Sequence, residues 1–114
     1  MSGRIHEATI WNLPDLLRKG RPVVVDFWAN WSAPSHGMIP VMRRLSKKFG
    51  EQVIFAKVDV ANNQDLPHNS TFEASPTFIF FRNGMEWDRL TGTKSQKELR
   101  KSLRGYPHET ACRL

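Results

Sequence analysis

Three short runs carry most of the bulky apolar residues: Val23-Val24-Val25-Asp26-Phe27-Trp28-Ala29, the stretch Val53–Val60, and Thr77-Phe78-Ile79-Phe80-Phe81. Their β-branched and aromatic content, without strict alternation, predicts strands covered on both faces. A central sheet with helices on each side follows. After Asn83-Gly84, whose residue types suit a tight hairpin turn, Glu86-Trp87-Asp88-Arg89-Leu90-Thr91 alternates polar with apolar positions. This predicts a half-exposed edge strand running antiparallel to its predecessor.

Between the first two runs, Met38, Met42, Leu45 and Phe49 recur at helical spacing, with Arg43, Arg44, Lys47 and Lys48 on the other side and Gly50 closing the stretch. Pro40 lies inside this amphipathic helix and predicts a kink, because it removes a backbone donor and crowds the preceding turn. Ser95-Gln96-Lys97-Glu98 reads as a capping box opening a helix that buries Leu99 and Leu103 and stops at Gly105. Near the start, Asn12-Leu13-Pro14-Asp15 opens a short helix through Leu16 and Leu17 to Gly20. The polar stretch 61–73, which contains Pro67, gives only a weak helix. The expected order is helix, strand, helix, strand, weak helix, hairpin, helix. It forms one domain over residues 1–105, followed by a flexible tail at 106–114.

A length of 114 residues allows one ordinary core, and 39 % apolar residues with four Trp and seven Phe supply the material for it. No apolar run approaches the roughly 20 residues of a membrane-spanning helix. The first residues lack the apolar core of a signal peptide and carry Glu7 early, so a cytoplasmic location is expected, with the mitochondrial matrix as second choice. The only cysteine is Cys112, so no disulfide forms within the chain, and its thiol reads as incidental. No spacing of metal ligands and no phosphate-cradling glycine loop is present, so neither a metal nor a cofactor is expected. Seventeen Lys and Arg against eleven Asp and Glu give a net charge of +6. From Lys94 onward six basic residues face two acidic ones, Glu98 and Glu109. A solvated helix face and tail account for that excess. An acidic partner, or weak and non-specific nucleic-acid contact, is the alternative it permits.

The run Val25-Asp26-Phe27-Trp28-Ala29-Asn30-Trp31-Ser32-Ala33-Pro34-Ser35 resembles the strand and active-site turn of the thioredoxin family, whose motif is Trp-Cys-x-Pro-Cys. Further matches are Pro40, Lys57, Ser75-Pro76-Thr77 at the family's cis proline, Asn83-Gly84 and Gly92. The resemblance implies an α/β thioredoxin fold, a mixed sheet of four to five strands flanked by helices, with a cis Ser75-Pro76 bond. It also implies a protein-disulfide oxidoreductase ancestry, except that serine stands at both cysteine positions.

A dithiol reductase needs one thiolate to attack a disulfide and a second thiol to resolve the mixed disulfide. Ser32 and Ser35 do neither, so the dithiol cycle is excluded for this sequence. His36 follows Ser35, but adjacent residues at a helix start point in different directions, so a Ser-His hydrolytic pair is not expected. Asp26 and Lys57 each interrupt an otherwise apolar strand, where a charge needs a partner, and they are expected to face each other. In the family, the acid at the Asp26 position moves a proton to and from the resolving cysteine. Loss of the two sulfurs alone, with Asp26, Lys57, Trp28, Trp31, Pro34 and Pro76 in place, has two explanations. One is selection for the surface around the motif. The other is a Cys-to-Ser change in an active disulfide oxidoreductase.

The family binds extended polypeptide in a groove beside the motif. By resemblance that groove comprises Trp31, Ala33, Pro34 and Val60, the loop Ala74-Ser75-Pro76, and Thr91-Gly92. The leading expectation is a thioredoxin-like protein without dithiol chemistry that contacts a polypeptide partner there, within a larger assembly.

Overall fold

The three apolar runs form the middle of a five-stranded sheet in a computed structural model that describes residues 4–60 and 76–104. Along the chain the elements are β1 (His6–Ala8), α1 (Leu13–Leu17), β2 (Val23–Trp28), α2 (Ala33–Gly37), α3 (Ile39–Phe49), β3 (Ile54–Asp59), β4 (Thr77–Arg82), β5 (Met85–Thr91) and α4 (Gln96–Arg104). The spatial order is β1-β3-β2-β4-β5. β1 and β2 run parallel to β3, whereas β4 is antiparallel to β2 and β5 antiparallel to β4. The expected weak helix at 61–73, Ala74, the Ser75-Pro76 bond, the stop at Gly105 and the tail with Cys112 lie outside the described residues.

Successive strand side chains point to opposite faces, which divides the core in two. On one face Val24, Phe55, Phe78 and Phe80 pack against Met38, Met42 and Leu45 near and along α3 and against Leu99 and Leu103 of α4. On the other, Val23, Val25, Phe27, Ile54, Ala56, Val58 and Ile79 pack with Ala8 and with Leu16 of α1. Each of the fully buried rings Phe55, Phe78 and Phe80 contributes roughly 1.5–3 kcal/mol by leaving water. The non-alternating strands are thus explained by a sheet covered on both sides.

Three local features refine the sequence reading. β1 was not expected, because a three-residue edge strand containing His6 and Glu7 carries no apolar pattern; it forms by backbone pairing with β3. The helix expected to bend at Pro40 is instead two helices, divided at Met38, which caps the end of α2 and the start of α3. Pro40 then sits in the first turn of α3, where a missing N–H removes no internal hydrogen bond. The hairpin forms as expected, with Asn83 at φ 54° and Gly84 at φ 79°, the left-handed pair that a twisted two-residue turn requires. A register shift between Phe80 and Phe81 leaves Trp87 of β5 as the extra residue of a bulge.

Candidate functional site

The strand directions gather four segments at one end of the sheet: the loops leaving β2 and β3, the entry to β4 and the exit from β5. In open α/β sheets this carboxyl end is where ligands bind. The Gly92 N–H donates to the Pro76 carbonyl at 2.8 Å, fastening the exit of β5 to the entry of β4. Gly92 has φ 94°, a conformation that favours glycine. Around this bond lie Thr91, exposed, and Pro76, buried.

The segment from Ala29 to Ser35 is organised by its two serines. Ser32 is the N-cap of α2, its hydroxyl accepting from the Ser35 N–H at 3.3 Å. The Ser35 hydroxyl accepts from the Ala29 N–H at 3.2 Å. Both residues are buried, Ser35 completely. Ala33 and Pro34 between them are exposed. These hydroxyls stabilise the turn. His36 directs Nε2 at the Asn30 carbonyl, and because a carbonyl only accepts, Nε2 carries the hydrogen and is engaged away from Ser35.

Asn30 is held from two sides. Its carbonyl takes the His36 contact, and its side-chain amide donates to Asp59 Oδ2 at 2.9 Å. Trp31, the next residue, is therefore presented from an anchored backbone and stays 65 % exposed. Beneath it Trp28 meets the His36 ring edge-on at 5.3 Å, and Lys57 Nζ lies 5.1 Å from the Trp28 ring centre. Asn30, His36 and Asp59 were not assigned to the site from sequence. Asp59 is the register partner of Trp28, a pairing that becomes visible only once β2 and β3 are aligned.

Asp26 and Lys57 are register partners, but they do not form the expected ion pair. The Lys57 ammonium instead contacts Glu7 Oε2 at 3.1 Å, across the β1–β3 pairing where Glu7 and Lys57 are aligned. The long lysine stem lets the amine reach a water-exposed carboxylate, avoiding the desolvation that a contact with buried Asp26 would require. Asp26 Oδ1 is left buried without a hydrogen-bond partner. Burial pushes its carboxyl up to about 7, and the charge of Lys57 opposes this without overcoming it. Val60 is half-buried at the end of β3. Ala74 and Ser75, the remaining expected groove residues, lie outside the described residues.

Among the described residues no cluster of His, Cys, Asp or Glu is arranged to hold a metal ion, and no helix is long and apolar enough to cross a membrane. Comparison with known proteins matches the thioredoxin family model to residues 6–105. A thioredoxin of Coprinus comatus is 34 % identical over 92 residues, covering 77 % of this chain and 87 % of its own. Thioredoxin Y, chloroplastic, of Oryza sativa is also 34 % identical, over 82 % of this chain but 56 % of its own length, so this chain spans about half of that relative. The structure of Malassezia sympodialis thioredoxin matches with a TM-score of 0.79 and 29 % identity over 90 % of each chain. A fold with this strand order, a helix-capping turn at the carboxyl end of β2 and a family match over nearly its whole folded length place the chain in the thioredoxin family.

Proposed function

We propose that this protein binds extended polypeptide at the strand-end surface around Trp31 and Pro76 and has no dithiol redox activity of its own. The observation that carries this reading is the contrast at one turn. Ser32 and Ser35 are buried with their hydroxyls accepting from backbone N–H groups of the turn, while Trp31 beside them is 65 % exposed on a segment pinned through Asn30. A rigid exposed aromatic is the residue type that anchors contacts. An extended peptide can add backbone hydrogen bonds at the loop entering β4. Its affinity would rest on this surface and involve no covalent step.

A second reading is supported by Asp26. Its buried carboxyl, with Oδ1 unpartnered, is the group that the family uses to move a proton at the second cysteine, which suits a disulfide reductase in which Ser32 and Ser35 replace two cysteines. The double variant Ser32→Cys/Ser35→Cys separates the two. With a dithiol reductant, the present sequence is expected to reduce insulin disulfides no faster than background, and Trp31→Ala to lose peptide-array binding without a change in Tm. A double variant that forms its disulfide, reduces insulin briskly and leaves the present sequence without peptide binding would favour the reductase reading instead.

A further inference from the structure

The basic residues are segregated onto one layer of the molecule. α3 carries Arg43, Arg44, Lys47 and Lys48, all exposed, and no acidic residue. α4 carries Lys97, Arg100, Lys101 and Arg104, with Glu98 as its only acid. That acid is engaged at the helix start, where Glu98 Oε1 accepts from the Ser95 N–H at 2.9 Å and the Glu98 N–H donates to Ser95 Oγ at 3.1 Å. Both helices bury their opposite stripes in the same core cluster, so their cationic stripes lie side by side over one face of the sheet. These two helices hold eight basic residues and one acid, and the rest of the chain is left with nine basic and ten acidic residues. The net charge of the protein therefore resides on this face.

The arrangement is not explained by the needs of the helices. Attraction to the carbonyl end of a helix accounts for Lys47, Lys48, Lys101 and Arg104, which lie in last turns, but not for the other four cations. Spacing makes matters worse for the isolated fold. Arg43 with Lys47, Arg44 with Lys48, Lys97 with Lys101 and Arg100 with Arg104 are each four residues apart, where like charges repel. Among the described residues none of the eight makes a salt bridge; the three that form are Arg18–Asp15, Lys57–Glu7 and Arg89–Glu86.

We infer that the α3–α4 face docks on the phosphate backbone of duplex nucleic acid, without reading its sequence. Among the described residues what the face exposes is chiefly charge. The exposed large apolar side chains, Trp11, Trp31 and Met85, all lie on other segments. Among the described residues the face thus has no fully exposed ring on which single-stranded bases could stack and no exposed apolar wedge to enter a lipid interface. At about 1.5 Å per residue, α3 is roughly 16 Å long, enough to follow a few successive phosphates. Contacts of this kind position a protein on a duplex and carry no sequence information. The inference uses no part of the Trp31 surface and does not depend on the polypeptide reading.

The test is fluorescence anisotropy of a labelled duplex of about 20 base pairs, titrated with the full chain between about 50 and 200 mM salt. Micromolar binding at the lower salt is expected, unchanged when the duplex sequence is scrambled, with a log–log salt slope of about −3 to −4 for roughly four neutralised phosphates. The variant Arg44→Gln/Lys48→Gln/Lys97→Gln/Lys101→Gln removes half of the eight cations, one whole repelling pair from each helix, and is expected to weaken binding by roughly ten-fold or more and to flatten the slope. Amide shift mapping on the unmodified protein is the second measurement, with changes expected on α3 and α4. Absence of salt-dependent binding, binding unaffected by the four glutamines, or shifts centred elsewhere would overturn the inference. So would tighter binding to phosphatidylserine vesicles or to polyglutamate than to the duplex.

Discussion

At Asp26 burial disfavours the carboxylate while the Lys57 ammonium favours it, and burial prevails because the amine is drawn towards Glu7 and water. The consequence for stability has a definite sign. The carboxyl ordinarily titrates at 3.8 and is raised in the fold to about 7, so the folded state holds its proton more tightly than the unfolded chain does. The contribution is fully present below 3.8, declines as pH rises, and is lost above about 7, a span of up to about 4 kcal/mol. Asp26→Asn, which keeps shape and removes the charge, is therefore expected to be nearly neutral in urea unfolding at pH 4. At pH 8 it is expected to stabilise by about 2–4 kcal/mol. A variant whose effect is the same at both pH values would show that Asp26 is solvated in the fold. The sequence identified Asp26 and Lys57 as charges inside buried strands, because each interrupts an apolar run. It did not reveal that Lys57 is paired elsewhere, because Glu7 belongs to a strand too short and polar to announce itself.

Elements formed by local chemistry were legible, and elements formed by distant pairing were not. The start of α4 is the clearest case. Ser95 and Glu98 sit three residues apart, and the two reciprocal backbone bonds follow from that spacing alone. Ser95→Ala is expected to cost about 1 kcal/mol in urea unfolding, with Ser95→Asp recovering most of it. No loss in the alanine variant would mean that packing of Leu99 and Leu103 holds the helix start without its cap. The division between α2 and α3 was legible only as a bend at Pro40. The proline fixed the place within two residues, while the choice of Met38 depends on the Ser32 cap and the length of α2. The anchoring of Asn30 was not visible in sequence at all, since both His36 and Asp59 reach it through tertiary geometry.

Over the whole molecule, the four like-charged pairs on α3 and α4 impose a cost that salt should relieve. Each such pair destabilises a helix by roughly 0.2–0.5 kcal/mol at low ionic strength, so together they amount to about 1–2 kcal/mol. Added sodium chloride is expected to raise Tm by several degrees between about 20 and 300 mM at neutral pH, as the Debye length shrinks towards the spacing of neighbouring charges along each helix. Arg43→Glu, which sets an acid four residues before Lys47 and away from the carbonyl end of the helix, is expected to raise Tm at low salt and to reduce the salt effect. A Tm that falls with salt would show that attractive pairs outweigh repulsive ones. The fold as a whole was legible because three apolar runs, one hairpin turn and one capping box all required the same layered sheet. The segregation of charge was partly legible, as an excess near the C-terminal end, but its continuation onto α3 required the packing of two distant segments on one face.

The Gly92–Pro76 bond closes an end of the sheet, whereas α3 and α4 cover one of its broad sides. These two surfaces face directions at right angles. A molecule laid by its helical side along an extended polyanion would therefore keep its strand ends unobstructed, and several copies in a row would each leave Trp31 accessible. A polypeptide with two or more suitable segments would meet such an array at a high effective concentration, so that individually weak contacts become a durable attachment.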